Sequence, residues 1–201
     1  MRLILASSSP ARLETLQRAG LTPHVIVSGV DESVVHADTT TALVQQLALL
    51  KALAVAERVE GPALVLGCDS MLELDGRALG KPADADEARA RWRDMRGRSG
   101  ILHTGHALIG PNGSRCDTAS TTVHFADVAD NEIDAYVATG EPLHVAGAFT
   151  IDGLGGWFVE AIDGDHHNVV GLSLPLLRHM LHELGYELSD LGYGAPPRST
   201  S

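Results

Sequence analysis

The stretch Ala63-Leu64-Val65-Leu66-Gly67-Cys68-Asp69 decides how this chain reads. It is an unbroken apolar run, as in a buried strand, and it ends on a carboxylate. Met71–Leu74 and Arg77–Leu79 follow as strand-like segments around Asp75-Gly76, a pair that favours a tight hairpin turn. Asp69 is therefore expected at the mouth of a buried strand, and Gly80-Lys81-Pro82 brings in a lysine from the next one. A carboxylate and a lysine so placed can hold a metal ion and a phosphate side by side.

Upstream, Arg2–Ala6 reads as a first strand, and Ser7-Ser8-Ser9-Pro10 opens a helix that runs to about Ala19. Serine is a favoured N-cap, and proline suits a first turn, where its missing N–H costs nothing. His24–Ser28 reads as a second strand leading to Asp31-Glu32, and Thr39–Val59 carries a long helical pattern with Leu43, Leu47, Leu50 and Ala54 spaced by three or four. Downstream, Asp84–Arg96 is an amphipathic helix with Trp92 on its apolar side. Ile101–Ile109 and Arg115–Val128 are strands around Pro111-Asn112-Gly113, and Asp130–Ala138 is a short helix capped by Asp130. Trp157–Ile162 returns as a strand and Gly171–Leu184 is the last helix. Early alternation with local strand pairing in the middle gives a mixed α/β fold with a hairpin-bearing sheet. One domain is expected over residues 1–188, with a disordered tail at 189–201.

The 201 residues are enough for a real core. The formal net charge of −11 argues against gripping a nucleic-acid backbone, which needs a basic face. A small anionic ligand needs only two or three local cations and a metal, so the acidic balance does not exclude one. Cys68 and Cys116 form no CxxC pair, which removes zinc-ribbon and thioredoxin readings. No apolar stretch reaches transmembrane length, and the run Leu3–Ala6 is too short for a signal peptide. A cytoplasmic protein with no membrane partner is expected.

The Ser7–Arg12 junction is a candidate anion site, since a helix N-terminus presents unpaired N–H groups and a partial positive charge. An ordinary N-cap with a surface arginine is the alternative. Asp31-Glu32 can ligate Mg²⁺ or Mn²⁺, or form a solvated acidic loop. Asp69 pairs with a cation or metal, is an acid of raised pKa, or simply forms a turn. Lys51, among leucines, either joins the site or snorkels from a core-facing helix. His103 and His106 are expected at the surface or a sheet edge and, three apart on a strand, on opposite faces. Gly153-Leu154-Gly155-Gly156 is no dinucleotide fingerprint, because a strand-like segment follows it. Taken together, these residues point to chemistry on a nucleotide polyphosphate.

The order of the blocks resembles the Maf family of nucleoside triphosphate pyrophosphatases over roughly residues 2 to 184. Its carriers are LILASSSPAR, Asp31-Glu32, Lys51, LGCDSMLELDGRALGKP, MRGR, HTGHALI, EIDAYVATGEPLHVAGAFTIDGLGGWFVE and NVVGLSLPLL. The resemblance implies an elongated mixed sheet flanked by helices around a central cleft, similar to the inosine triphosphate pyrophosphatases. It implies hydrolysis of a nucleoside triphosphate to the monophosphate and pyrophosphate, a divalent cation (Mg²⁺ or Mn²⁺) and a homodimer. By position, Asp69 matches the proton acceptor for the attacking water, and Glu32 and Asp69 would hold the metal. Ser7, Arg12, Lys51 and Lys81 match cleft positions that bind the triphosphate.

Three positions bear on base specificity. Members acting on thymidine and uridine triphosphates usually carry Arg-Arg after the Ser-Pro, Thr after the catalytic Asp, and Gln in the IQG block; here those places hold Ala11, Ser70 and Asp152. A carboxylate at 152 accepts two hydrogen bonds from a guanine edge or favours a positively charged methylated base such as 7-methylguanine. A clearing role for modified nucleotides fits this reading. The alternative is a nucleotide-binding regulator of cell division or septum formation in which turnover is secondary.

Overall fold

The structure, a computed structural model, describes residues 1–194. In chain order the elements are β1 (Arg2–Leu5), α1 (Pro10–Arg18), β2 (His24–Val25), α2 (Thr40–Ala56), β3 (Ala63–Leu74), β4 (Arg77–Leu79) and α3 (Ala85–Met95). Then follow β5 (Ser99–Gly110), β6 (Gly113–Phe125), α4 (Asp130–Ala138), β7 (Val159–Asp163), α5 (His166–Val170) and α6 (Leu174–Glu183). The sheet runs β2-β1-β3-β5-β6-β7, with β4 also paired to β3. β1 is parallel to β2 and β3, and every other pairing is antiparallel. The mixed α/β sheet is the one expected.

Helix α2 lies on one face of the sheet because two glycines give it room. A Cβ on Gly67 would sit 2.2 Å from the Ala48 carbonyl oxygen, and one on Gly105 2.2 Å from that of Val44. The helix buries Val44, Leu47, Ala48, Lys51, Ala52 and Val55, a spacing of three and four that makes one stripe. Thr39 caps it, its Oγ1 accepting from the Ala42 N–H at 3.1 Å. On the other face α6 packs Leu177, Met180 and Leu181 against Leu3, Leu5, Leu64, Leu66 and Leu108. A third cluster surrounds Trp92, fully buried as expected of a core residue. Phe125, Tyr136 and Phe158 meet its ring edge-to-face at 5.8, 5.6 and 5.5 Å.

Several boundaries differ from the sequence reading. The expected break after Cys68 is absent: β3 runs unbroken through Asp69, because β5 pairs with it from Val65 to Glu73. The second strand is only His24–Val25. Asp130 begins α4 from inside, with Ala129 at the cap, and instead pairs with Arg96. The last helix begins at Leu174, because the Ser173 hydroxyl accepts from the Leu176 N–H and Gly171 has φ +121°. The Asp75-Gly76 turn is present, both residues having positive φ. Leu188–Leu191 form a 3-10 turn whose two leucines pack against the α6 cluster. The rest of the expected tail, 195–201, lies outside the described residues. Among the described residues no helix is long and apolar enough to cross a membrane.

Candidate active site

On one edge of β3, β1 covers Ala63–Leu66 and β4 covers Leu72–Leu74. Among the described residues, Gly67 to Met71 have no strand partner on that edge. A cavity of about 920 Å³ opens at this gap. Asp69 thus sits mid-strand, yet beyond the carboxyl end of the parallel β1–β3 pair, where α/β sheets place ligands. Ser7, Ala11, Arg12, Glu32, Lys51, Asp69, Ser70, Lys81 and Asp152, all singled out from sequence, line this one cavity.

Lys51 does not snorkel. It is buried on the sheet-facing stripe of α2, and its Nζ donates to Asp69 Oδ1 at 2.5 Å. The same ammonium is 2.8 Å from Glu32 Oε1. Glu32 opens a 3-10 turn that Asp31 caps, Asp31 Oδ1 accepting from the Ser33 N–H at 3.0 Å. Burial pushes the Asp69 carboxyl above the ordinary carboxylate range; the Lys51 and Arg12 charges offset only part of this, and Glu32 adds to it.

Arg12 is enclosed by acceptors. Its Nε donates to the Gly171 carbonyl at 2.7 Å, Nη1 to Ser7 Oγ at 3.1 Å and the Cys68 carbonyl at 2.9 Å, and Nη2 to Ser70 Oγ at 3.0 Å. The Cys68 carbonyl lies on the open edge of β3, so the guanidinium supplies a donor where a strand would otherwise stand. Ser70 Oγ is also 2.9 Å from Thr104 Oγ1, which donates to the Asn168 carbonyl at 3.1 Å. Asn168 is fully buried, its Nδ2 donating to the Leu102 carbonyl and to Thr121 Oγ1. Ser7 Oγ accepts from the Ser9 N–H at 3.2 Å, and Ser9 caps α1.

Lys81 is exposed at the cavity rim and has no ion-pair partner among the described residues. Its neighbour Gly80 accepts from the Gly147 N–H at 3.0 Å and from Arg91 Nη1 at 2.5 Å, which ties this corner to the opposite wall. Asp152 is exposed on that wall. His144, Thr150 and Phe149 line the wall as well, and the sequence reading did not single them out.

The histidines expected at the surface are buried. His103 and His106 are 7% and 0% exposed, and they do face opposite sides of β5. His103 Nδ1 is 2.7 Å from Ser120 Oγ. His106 accepts from the Ser173 N–H through Nε2 at 2.8 Å and donates through Nδ1 to the Thr104 carbonyl at 2.9 Å. Burial holds its pKa down to about 4, so it is a neutral structural group.

No group of three or more His, Cys, Asp or Glu side chains stands ready for a metal among the described residues. Glu32 and Asp69 do converge on a single ammonium. Two carboxylates beside open solvent suit Mg²⁺ or Mn²⁺, which keep several waters and take further oxygens from phosphates.

Residues 2–184 match the family model described as Maf-like protein. A nucleoside triphosphate pyrophosphatase of Salinispora tropica is 60% identical over 198 residues, 95% of this chain and 87% of that protein. One of Streptomyces coelicolor is 58% identical over 193 residues, 94% of each chain. Among solved structures, the Staphylococcus aureus Ham1 protein superposes with a TM-score of 0.50 at 16% identity, covering 91% of this chain and 99% of that one. That likeness concerns the fold.

Proposed function

The chain belongs to the Maf-like protein family and is, like its curated relatives, a nucleoside triphosphate pyrophosphatase, and from that premise we propose how its cleft works. Water attacks the anhydride between the α- and β-phosphates, and Asp69 accepts the water proton. The anhydride P–O bond breaks, pyrophosphate leaves, and the monophosphate carries the new oxygen. The observation that carries this reading is a buried carboxylate in the unpaired stretch of the β3 edge, against a buried lysine.

Glu32 and Asp69 would hold the divalent cation. When bound, it neutralises phosphate charge and aligns the polyphosphate. Lys51, held between the same two carboxylates, would turn to the incoming phosphates, and Lys81 would meet them from the rim. Arg12 is the least free of the expected clamps, since Gly171, Ser7, Cys68 and Ser70 already accept from it. Its part is to hold the Ser7 hydroxyl at the phosphates and Ser70 at the wall. Asp152 reads a guanine-like base edge, because its carboxylate is acceptor-only where an amide would also donate.

The test is pyrophosphate release across natural and modified nucleoside triphosphates with Mg²⁺ or Mn²⁺, beside Asp69→Asn. Loss of the base is expected to lower kcat by about a hundred- to ten-thousand-fold. Hydrolysis that survives this isosteric change would remove Asp69 as the base. A wild-type protein that binds nucleotides without turnover would instead favour the regulator reading.

A further inference from the structure

Glu141 begins a 3-10 turn that ends at His144, a residue of the cavity wall, and its carboxylate gathers four donors. Oε1 accepts from Tyr136 Oη at 2.9 Å, from Thr150 Oγ1 at 2.6 Å and from the Gly155 N–H at 2.9 Å. Oε2 accepts from the Leu154 N–H at 2.9 Å. Backbone can close around the carboxylate only because glycines lie there. A Cβ on Gly153 would stand 2.6 Å from Glu141 Oε2, and one on Gly155 2.5 Å from Tyr136 Oη. Two backbone N–H groups, a phenol and a threonine hydroxyl therefore enclose one side chain. These bonds outweigh the opposing effect of burial and keep the carboxyl below the usual range, so it stays ionised.

Asp152 lies between the anchored positions, two residues after Thr150 and two before Leu154. Beyond Ile151, which is half-buried against the Trp92 cluster, apolar packing does little to fix this loop, since Asp152 and Gly153 are exposed and Leu154 is 49% exposed. The charge-assisted bonds to Glu141 take the place of that packing.

We propose that Glu141 is a positioning residue for base selection: it holds the Thr150–Gly155 loop so that Asp152 faces the cleft. This inference rests on the reading of Asp152 as the group that meets the base. Glu141 itself touches neither the base nor the reacting phosphates, so its removal acts on discrimination among bases before it acts on the chemical step.

The experiment compares wild type, Glu141→Gln and Thr150→Val. Glutamine keeps the size and the acceptor shared by Tyr136, Thr150 and Gly155, but turns an NH₂ toward the Leu154 N–H. Valine removes one donor from the other side. Two readouts are taken: kcat and KM over a base panel, and hydrogen exchange at the Leu154 and Gly155 amides of the free protein. Glu141→Gln is expected to shrink the kcat/KM ratio between best and worst base by about tenfold, the scale of one charge-assisted hydrogen bond. KM for the best substrate rises, its kcat stays within a few-fold, and both amides exchange faster. Thr150→Val shifts each readout in the same direction by less. A uniform fall of kcat/KM across all bases, or an unchanged ratio, overturns the proposal. If wild type turns over without ranking bases, the base reading fails and the proposal falls with it; a ranked panel with unchanged amide protection in Glu141→Gln overturns the positioning role alone.

Discussion

Gly67→Ala should cripple both stability and turnover, because the missing side chain at Gly67 sets the height of α2 above the sheet. An added Cβ would lie 2.2 Å from the Ala48 carbonyl oxygen, 2.8 Å from the Ala52 nitrogen and 3.0 Å from the Ala52 Cβ. The first two are backbone atoms of a regular helix and cannot rotate away. Restoring ordinary contact requires α2 to retreat by roughly 1 Å. Overpacking of this kind costs about 1–3 kcal/mol, and two backbone clashes put Gly67 in the upper half of that range. At about 2–4 °C per kcal/mol for a chain of this size, the melting temperature should fall by roughly 4–12 °C. The helix also carries Lys51, whose ammonium is 2.5 Å from Asp69, two residues from the substitution. A displacement of about 1 Å at a reacting geometry can cost about a hundredfold in rate, so kcat should drop on that scale even where the protein is fully folded. The assays are thermal unfolding by circular dichroism and pyrophosphate release at a temperature well below the variant's transition. Gly80→Ala is the stability control, since a Cβ there meets nothing within 4 Å. Gly105→Ala meets the same helix at Val44 and Gln45, so the double variant should lose less than the sum, because one retreat of α2 relieves both clashes. Unchanged melting and turnover in Gly67→Ala, or full additivity in the double variant, would refute the claim that these glycines set the helix height.

Two further outcomes concern the supporting structure. His106 is held at about 4 against 6.5 for the free side chain, so the unfolded chain takes up a proton first as pH falls. Its contribution to stability is whole above about pH 6.5 and declines toward pH 4, by about 3 kcal/mol at 1.36 kcal/mol per unit. In His106→Gln the loss of stability between pH 7.5 and 4.5, measured by urea unfolding, should be smaller than in wild type by about 2–3 kcal/mol; an equal loss would mean the imidazole titrates freely. Ala148 has φ +60°, a left-handed conformation costly for a residue with a Cβ, and its carbonyl accepts from Trp92 Nε1 at 2.8 Å. Ala148→Gly should therefore be neutral or stabilising by up to about 1 kcal/mol despite the complete burial of the site. A loss beyond about 1 kcal/mol in denaturant unfolding would count against backbone strain there.

Much of this architecture is local and so was legible. The apolar run at 63–68, the Asp75-Gly76 turn and the serine cap before Pro10 each act within a few residues, and each appears as read. The candidate residues stand out in sequence because carboxylates, lysines and a serine-rich helix start are chemically distinctive, and all nine fall on one cavity. The buried histidines were not legible, because their partners stand far off in sequence: Ser173 is 67 residues from His106. Glu141 was missed for a related reason. It resembles any surface glutamate until the Gly153–Gly155 backbone, a dozen residues on, folds back onto it, and the close-spaced glycines were the only trace of that approach.

Sequence by itself located most strands and helices, though not α5 (His166–Val170) or several boundaries, and it fixed where the tight turns fall and which side chains carry charge suited to a polyphosphate. Those properties follow from periodicity, capping and turn chemistry, whose range is a few residues. Tertiary structure alone decided that β3 runs through Asp69, because the length of a strand is set by its partner β5. It also decided that Lys51 pairs with Asp69 and Glu32 rather than reaching solvent, and that Arg12 is enclosed by acceptors from two distant segments, β3 and Gly171, as well as by nearby Ser7. The physical reason is common to all of these: a buried charge or an unpaired edge must find its partner wherever the chain's packing brings one, and no window of sequence contains that address.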